Sequence, residues 1–195
     1  LCPAPGYDRH FAITEYFDFD LIPVPMTENG PDMDVVEKLV ENDDSIKGIW
    51  CVPKYSNPLG ITFSDETVKR FAALKPAAKD FRIMWDNAYC VHDVTDTPDE
   101  LLSLMAECRK TGNVDLPIMF TSTSKITFPG SGVAAMAATA SDNNMKVIKN
   151  RYQYQVISYD KMNMLRHARF FGDLNGVKEH MKLHKAVLKP KFEIV

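Results

Sequence analysis

The chain has 195 residues, of which 45% are hydrophobic and 25% are charged, and its net charge at pH 7 is −3. This length and composition predict a globular protein with one domain, or one domain and part of another. Acidic and basic residues are interspersed, which argues against nucleic acid and an anionic membrane as partners. No apolar run approaches the ~20 residues that a membrane-spanning helix needs.

Four cysteines are widely spaced and form no C-x-x-C motif: Cys2, Cys51, Cys90 and Cys108. Two of them lie in apolar strand-like runs, where cysteine behaves as a small hydrophobic residue. The pattern predicts a reducing, cytoplasmic setting, and no set of metal ligands is assigned. The chain begins at Leu1 with neither Met nor a signal core. We therefore expect it to start within a longer protein, although processing would give the same beginning.

Helical and strand patterns alternate from residue 32 onward, which is typical of β-α-β units and a mainly parallel sheet. An amphipathic helix is predicted over 32–42 and a buried strand over 48–53. Ser64 is predicted to cap the next helix, and a strand follows at 81–86.

A further helix is predicted to begin at Thr97, with Pro98 in its first turn and Glu100 completing a capping box, and to end near Lys110. The next predicted elements are strands at 117–121 and 133–139 and a helix from Ser141 toward Gln155.

The character of the sequence changes after this helix. Residues 158–190 have a Met- and Lys-rich helical pattern that is interrupted at Gly172 and Gly176, with a short strand as an open possibility at 192–195. This pattern indicates a linker or the beginning of a second domain.

Polar residues follow three of the predicted strands at their carboxyl ends, where α/β sheets bind ligands. Asn57 follows the first strand, Asp86 and then Tyr89 follow the second, and Lys125 follows the third. A lysine tucked into such an edge can lose hydration, which lowers its pKa and makes its amine a nucleophile. Taken singly, each feature also fits a plain turn, a helix cap or a solvated surface.

Three motifs occur in order: Asn57-Pro58-x-Gly60, Asp86-x-x-Tyr89 and Ser122-x-x-Lys125, with gaps of 29 and 39 residues between Asn57, Asp86 and Lys125. Together they resemble the fold-type I pyridoxal-phosphate enzymes, and within these the aspartate aminotransferase-like group. The resemblance covers residues 1–150 well and the tail loosely. The segment Pro5-Gly6-Tyr7-Asp8-Arg9-His10 is similar to a bacterial subgroup.

The resemblance implies an α/β fold of the pyridoxal-phosphate-dependent transferase type, with a mainly parallel sheet. Residues 1–150 would form part of the cofactor-binding large domain, without its N-terminal part, and 151–195 the interdomain helix and the start of the small domain. The implied cofactor is pyridoxal 5'-phosphate, and the implied substrates are an amino acid and a 2-oxo acid. A homodimer with shared active sites is also implied.

Roles carry over to individual residues by the same resemblance. Lys125 would form a Schiff base with the cofactor and later move the proton at the substrate Cα. Asp86 would keep the pyridine nitrogen protonated, because a buried cation needs a close anion. Tyr89 and Asn57 would hydrogen-bond the phenolic oxygen of the cofactor.

Four further residues complete the implied site. Tyr7 would stack on the cofactor ring, and Ser122 and Ser124 would bind the phosphate. His10 would orient the aspartate from behind, with a solvent-facing loop histidine as the alternative.

The chain departs from the family pattern near the lysine. Many members carry an arginine seven or eight residues after it to grip the phosphate, where this chain has Gly132 and Val133. Ser131, backbone amides of the glycine-rich turn or an upstream loop are the candidate replacements. Nothing in the spacing of the later arginines identifies a substrate-carboxylate clamp, so solvated helix faces are predicted for Arg151, Arg166 and Arg169.

The predicted function is therefore an aminotransferase with aspartate as the expected donor. A pyridoxal-phosphate-dependent C–S lyase or other lyase of the same fold remains an alternative, because the same lysine and aspartate serve those reactions. A second alternative is an aminotransferase-like ligand-sensing domain of a transcription regulator. A nucleotide-binding domain without this cofactor is disfavoured, since no G-x-G-x-x-G or P-loop motif follows a strand.

Overall fold

The computed structural model describes residues 1–194 as alternating strands and helices. The strands are β1 Cys2–Ala4, β2 Pro23–Thr27, β3 Gly30–Pro31, β4 Gly48–Cys51, β5 Arg82–Asp86, β6 Pro117–Ser122 and β7 Ala134–Ala137. The helices are α1 Asp8–Tyr16, α2 Met33–Asn42, α3 Asp65–Ala73, α4 Leu104–Thr111, α5 Val147–Gln155, α6 Lys161–Phe171 and α7 Leu174–Phe192. A π-helical turn, Asp142–Lys146, leads into α5.

The main sheet has the strand order β4-β5-β6-β7. β4, β5 and β6 are parallel, and β7 runs antiparallel to β6. The prediction of an α/β fold with a mainly parallel sheet is therefore confirmed. A smaller sheet, β1-β2-β3, adjoins β4, where the amino group of Leu1 donates to the carbonyl of Gly48 at 2.5 Å.

One face of β4 and β5 forms the core. Ile49, Ile83 and Trp85 are at most 1% exposed, and each buried side chain of this size contributes about 1.5–3 kcal/mol through the hydrophobic effect. Trp85 packs edge-on against Phe63 and Phe71, with ring centroids 5.6 Å apart in both pairs. The alternate residues of these strands are half-buried and point to the opposite face, which carries the candidate site.

Several predicted elements agree with the structure to within one or two residues. The helix predicted over 32–42 is α2, which begins after Asp32, whose carboxylate accepts from the amides of Asp34 and Val35. Ser64 caps α3 as predicted, accepting from the amide of Thr67 at 3.2 Å. The strands predicted at 48–53, 81–86, 117–121 and 133–139 correspond to β4, β5, β6 and β7.

The helix predicted from Thr97 to about Lys110 begins later than expected. Thr97, Pro98 and Glu100 lie outside helical structure, and α4 starts after Ser103, whose hydroxyl accepts from the amide of Ala106 at 3.3 Å. Core packing decides this boundary, because Leu104, the first helical residue, is fully buried. Leu101 and Leu102, between Thr97 and α4, also pack against the core, but they do so outside helical structure.

The C-terminal helices also differ from the prediction in detail. Gly172, with φ +71°, separates α6 from α7 as expected. Gly176 lies inside α7, where its amide donates to the capping carboxylate of Asp173 at 3.0 Å, so the predicted break there is wrong. α7 continues to Phe192 and a turn follows at 193–194, so no strand forms in that described part of 192–195; Val195 lies outside the described residues.

The N-terminal elements α1 and β1 to β3 were not predicted. α1 buries His10 rather than an apolar stripe, so its sequence lacks a helical hydrophobic pattern. Within residues 1–194, none of the helices has the length and apolar character needed to cross a membrane.

Candidate active site

The three polar strand ends predicted from sequence are neighbours in the structure. β4, β5 and β6 are adjacent and parallel, so the segments with Asn57, Tyr89 and Lys125 leave the sheet at the same edge. Asp86 is the last residue of β5 and lies beside Phe120 of β6. Parallel topology therefore brings together groups that are distant in sequence.

Asp86 is held by an imidazole that the N-terminal helix supplies. His10 of α1 is 5% exposed, and its Nε2 lies 3.1 Å from Oδ2 of Asp86. The His10 ring stacks on Trp50 of β4, with centroids 4.2 Å apart and planes 18° apart. The alternative of a solvent-facing histidine is therefore wrong. Because Oδ2 is an acceptor, Nε2 of His10 carries the proton, and the carboxylate is fixed in orientation.

The phenol of Tyr89 lies among other predicted site residues. Burial is the main cause that raises the pKa of Tyr89, and the proximity of Tyr7 and Asp86 adds to the rise. The nearby Asn57 side chain acts in the opposite direction on this pKa. The ring of Tyr7 also meets His10 edge-on at 5.3 Å. Three predicted residues, Tyr7, Asp86 and Asn57, are thus close enough to the Tyr89 phenol to affect its pKa.

Lys125 extends toward the same group. Its Nζ lies 5.1 Å from the centroid of the Tyr89 ring, within the range of a cation–π contact. The residue is exposed, however, so the expected desolvation of its amine is not provided by the residues that the structure describes. The expectation of a tucked lysine is corrected for this chain, because no described segment covers that side of the loop.

The segment between β6 and β7, residues 123–133, is here termed the lysine loop. Its ends are joined by two hydrogen bonds: the amide of Thr123 donates to the carbonyl of Val133 at 2.9 Å, and the amide of Val133 donates to Oγ1 of Thr123 at 2.8 Å. Inside the loop, the amides of Ile126 and Thr127 both donate to the Thr123 carbonyl, at 3.0 and 2.9 Å. Lys125 therefore sits on a hydrogen-bonded turn.

The absence of an arginine at position 132 has a steric explanation, whereas position 133 already carries the side chain of Val133. A Cβ atom added at Gly132 would overlap the Ser124 side chain and also come within 2.8 Å of its Cα. No side chain fits at position 132 unless the lysine loop moves. The predicted phosphate ligands lie beside this close approach, where Oγ of Ser122 accepts from the amide of Ser124 at 3.4 Å. Oγ of Ser131 is buried and has no hydrogen-bond partner among residues 1–194.

The later arginines lie on solvated helix faces, as predicted. Arg151, Arg166 and Arg169 are all exposed. Arg166 donates from Nη2 to Oδ1 of Asn163 at 2.7 Å, which is a contact within α6. Arg166 and Arg169 also line an open cavity together with Gly130 and Ser131 of the lysine loop.

Several residues near the site were missed by the sequence reasoning. Lys54, just after β4, is 6% exposed and pairs with Asp93 at 2.6 Å. Tyr55 donates to the same carboxylate at 3.0 Å, and burial is the main cause that raises its pKa to about 12. The sequence places Trp50 in the predicted strand 48–53 but does not assign it to the site. The period-2 alternation of β4 could have placed Trp50 on the site face, whereas Lys54 and Asp93 carry no sequence signal that links them.

Comparison with known proteins identifies the family. The family model described as aspartate amino-transferase matches residues 1–195. This chain belongs to the aspartate aminotransferase family. The resemblance that the three motifs indicated is therefore confirmed.

Two curated relatives match the chain over all 195 of its residues. A Mycolicibacterium smegmatis protein that carries the name aminotransferase is 52% identical over 195 residues, which are 45% of its own length. The aspartate aminotransferase of Corynebacterium glutamicum is 48% identical over 195 residues, 44% of its length. The chain thus spans less than half the length of the curated relatives that it matches.

Solved structures confirm the fold. An aminotransferase from Corynebacterium diphtheriae has a TM-score of 0.94 and 47% identity, covering 99% of this chain and 47% of that one. A pyridoxal-phosphate-bound C–S lyase of Staphylococcus hominis has a TM-score of 0.76 at 16% identity, with coverage of 100% of this chain and 47% of its own. The latter likeness shows the fold alone, and it means that the fold does not separate amino transfer from C–S cleavage.

Proposed function

We propose that the chain is part of a pyridoxal-phosphate-dependent aminotransferase that moves an amino group from an amino acid, with aspartate as the expected donor, to a 2-oxo acid. Family membership and the C. glutamicum relative named aspartate aminotransferase support this. The single observation that carries the proposal is the convergence of Lys125, Asp86 and Tyr89 at one edge of the sheet.

The residues present fit the proposed cofactor. Lys125 offers an amine for its carbonyl, and Asp86 offers a fixed carboxylate for its ring nitrogen. Gly132 approaches Ser124 so closely that position 132 carries no side chain. The hydroxyls and backbone amides of the lysine loop beside it are groups that suit a phosphate. When bound, pyridoxal phosphate supplies an electron sink for negative charge at the substrate Cα.

In this proposal Lys125 has two tasks. Its amine would hold the cofactor covalently, and as a free amine it would move the proton from the substrate Cα to the cofactor. The turn closed on the Thr123 carbonyl supports the Lys125 backbone.

Asp86 would hold a proton on the ring nitrogen, because a carboxylate close to a buried cation favours its charged form. His10 would act through Asp86, since its hydrogen bond to Oδ2 orients the carboxylate and leaves Oδ1 available. Tyr89 and Asn57 would donate to the phenolic oxygen and stabilise its anion, and Tyr7 would pack on the ring.

The phosphate is held without an arginine at position 132. Ser122 and Ser124 would donate hydroxyl hydrogen bonds to it, and Ser131 has a buried hydroxyl without a partner among residues 1–194 that could also donate. These hydroxyls are neutral, so they do not balance the negative charge of the phosphate. The proposal therefore includes further phosphate ligands from the longer protein.

We also propose that residues 1–150 belong to the cofactor-binding large domain and 151–195 to the interdomain helix and the start of the small domain. The protein is a homodimer with shared active sites in this proposal, which supplies the cover over Lys125 that residues 1–194 lack. The cytoplasmic location inferred from the cysteine pattern stays a prediction.

The assignment of Lys125 is tested in the full-length protein. Lys125→Ala should abolish the visible absorption band of the covalently bound cofactor, whereas Lys75→Ala, at an exposed lysine, should retain it. A band that survives Lys125→Ala contradicts the assignment.

The reaction is tested separately, because a C–S lyase shares the fold. With aspartate and 2-oxoglutarate, amino transfer should yield oxaloacetate and glutamate. Release of ammonia and pyruvate from cysteine-like substrates, without amino transfer, would replace the aminotransferase proposal by the lyase one.

A further inference from the structure

Three imidazoles contact three consecutive residues of the lysine loop. Nε2 of His92 lies 3.1 Å from the carbonyl of Lys125, Nε2 of His180 lies 2.9 Å from the carbonyl of Ile126, and Nε2 of His167 lies 3.3 Å from Oγ1 of Thr127. The histidines come from three separate segments. His92 lies in the β5–α4 connection, His167 in α6 and His180 in α7.

The contact geometry specifies the direction of the bonds. Carbonyl oxygens only accept, so Nε2 of His92 and Nε2 of His180 carry protons and donate them. Nδ1 of His167 lies 2.9 Å from the carbonyl of Asn163 and therefore also donates. Oγ1 of Thr127 donates its only hydrogen to the carbonyl of Thr123 at 3.0 Å, so the contact of His167 with Thr127 fixes no donor. The direction of the hydrogen bond is therefore specified for His92 and His180, whose partners are carbonyl oxygens.

Packing holds two of these rings in place. The ring of His92 meets Tyr89 edge-on at 5.5 Å, and its Nδ1 is buried without a partner in the part of the chain described. The ring of His180 is edge-on to Phe170 at 5.3 Å and to Phe171 at 5.6 Å. The single hydrogen bond of each ring to the lysine loop is thus supported by aromatic contacts.

We infer that His92 and His180 are positioning residues that hold the backbone at Lys125 and Ile126, and that His180 thereby couples α7 to the direction in which the lysine side chain leaves the loop. An effect of this positioning on catalysis rests on the proposed function of Lys125. The positioning of the Lys125 and Ile126 backbone does not, because it involves only contacts within the protein. Neither histidine reaches the reacting atoms in this inference.

Positioning is tested first in the full-length protein without cofactor, by amide hydrogen exchange. The amides of Ile126 and Thr127 report on the turn, because both are bonded to the Thr123 carbonyl. His180→Phe keeps an aromatic ring beside Phe170 and removes the N–H donor. These amides should exchange roughly fivefold faster in this variant, as expected when one net hydrogen bond is lost.

His184→Phe is the matched control. The ring of His184 lies 4.6 Å from that of His180 on the same helix, yet it makes no hydrogen bond to the lysine loop among residues 1–194. Exchange in this variant should equal that of the unmodified protein. His180→Gln, which keeps an N–H donor, should restore part of the protection. Equal exchange in His180→Phe and His184→Phe would overturn the inference.

The cofactor-loaded protein gives the second readout. The pH midpoint of its visible absorption band should shift in His180→Phe and in His92→Phe and stay unchanged in His184→Phe. An unchanged midpoint in both variants, together with unchanged exchange, overturns the positioning role. Absence of the band in the unmodified protein would instead refute the proposed function, and the exchange result would stand without it.

Discussion

Lys54 is a buried cation that joins the connections leaving two neighbouring strands. Its Nζ pairs with Asp93 at 2.6 Å, and Asp93 also accepts from the Tyr55 hydroxyl. The backbone amide of Asp99 donates to that hydroxyl at 3.2 Å. This network ties the segment that continues to Asn57 to the segment that follows Tyr89.

The two members of the ion pair should differ in their contribution to stability. Asp93→Asn leaves a buried ammonium without a counter-charge, which should cost about 3 kcal/mol. Lys54→Met fills the same volume with an apolar chain and leaves a carboxylate that is 37% exposed, so it should cost only about 1 kcal/mol. Urea unfolding of the full-length protein measures both free energies.

The control lies at the other ends of the same two strands. Lys47 pairs with Asp80 at 2.9 Å, but both side chains are well exposed. Lys47→Met should therefore change the free energy of unfolding by less than about 1 kcal/mol. If Asp93→Asn had no larger effect than Lys47→Met, the buried pair would not be a structural link.

At the scale of elements, the start of α4 is set by tertiary packing rather than by the local capping pattern of the sequence. Thr97 has the better local capping pattern, but Ser103 makes the capping hydrogen bond. Ser103→Ala should lower the free energy of unfolding by about 1 kcal/mol. Thr97→Ala, at an exposed residue outside the helix, should change it by less than about 0.5 kcal/mol. The reverse order of effects in chemical denaturation would contradict the observed boundary.

Elements with a strong hydrophobic period could be predicted from sequence. α2 and α3 have apolar stripes and side-chain caps at Asp32 and Ser64, and β4 and β5 are short apolar runs. α1 could not be predicted, because its buried residue is His10. That imidazole is buried against Asp86 and Trp50, and neither partner is near it in sequence.

At the scale of the whole molecule, stability should fall in acid in two steps. Burial lowers the pKa of His92 and of His184 from the ordinary value of 6.5. The unfolded chain then binds more protons, so their contribution is complete above about pH 6.5 and is lost as pH falls through the folded pKa values. Hydrogen bonds from Ser141 and Thr139 lower the pKa of Asp115, whose contribution is lost below about pH 3.8.

Urea midpoints measured between pH 8 and pH 3 test this order. The curve should decline below about pH 6.5 and decline further near pH 4. His92→Phe removes one titrating group and should weaken the first decline while it leaves the second unchanged. A midpoint that rises as pH falls from 7 to 5 would show that the histidine pKa values are raised instead.

The 195-residue segment should bind pyridoxal phosphate much more weakly than the full-length protein, by at least ~100-fold. Lys125 is exposed here and no arginine stands at position 132, so much of the pocket wall lies elsewhere in the proposed dimer. Absorbance titration of both proteins with the cofactor measures the difference. Comparable affinities would contradict the proposed sharing of the site.

The sequence by itself determined the alternation of elements and the order of the motifs at Asn57, Asp86 and Lys125, because hydrophobic period and residue type are local properties. Tertiary structure alone decided the rest. It placed His10 against Asp86, buried Lys54 beside Asp93, set three histidines on the lysine loop and brought Gly132 so close to Ser124 that no side chain fits. Apart from the approach of Gly132 to Ser124 within the lysine loop, these contacts join residues that are far apart in the chain, so no local pattern encodes them.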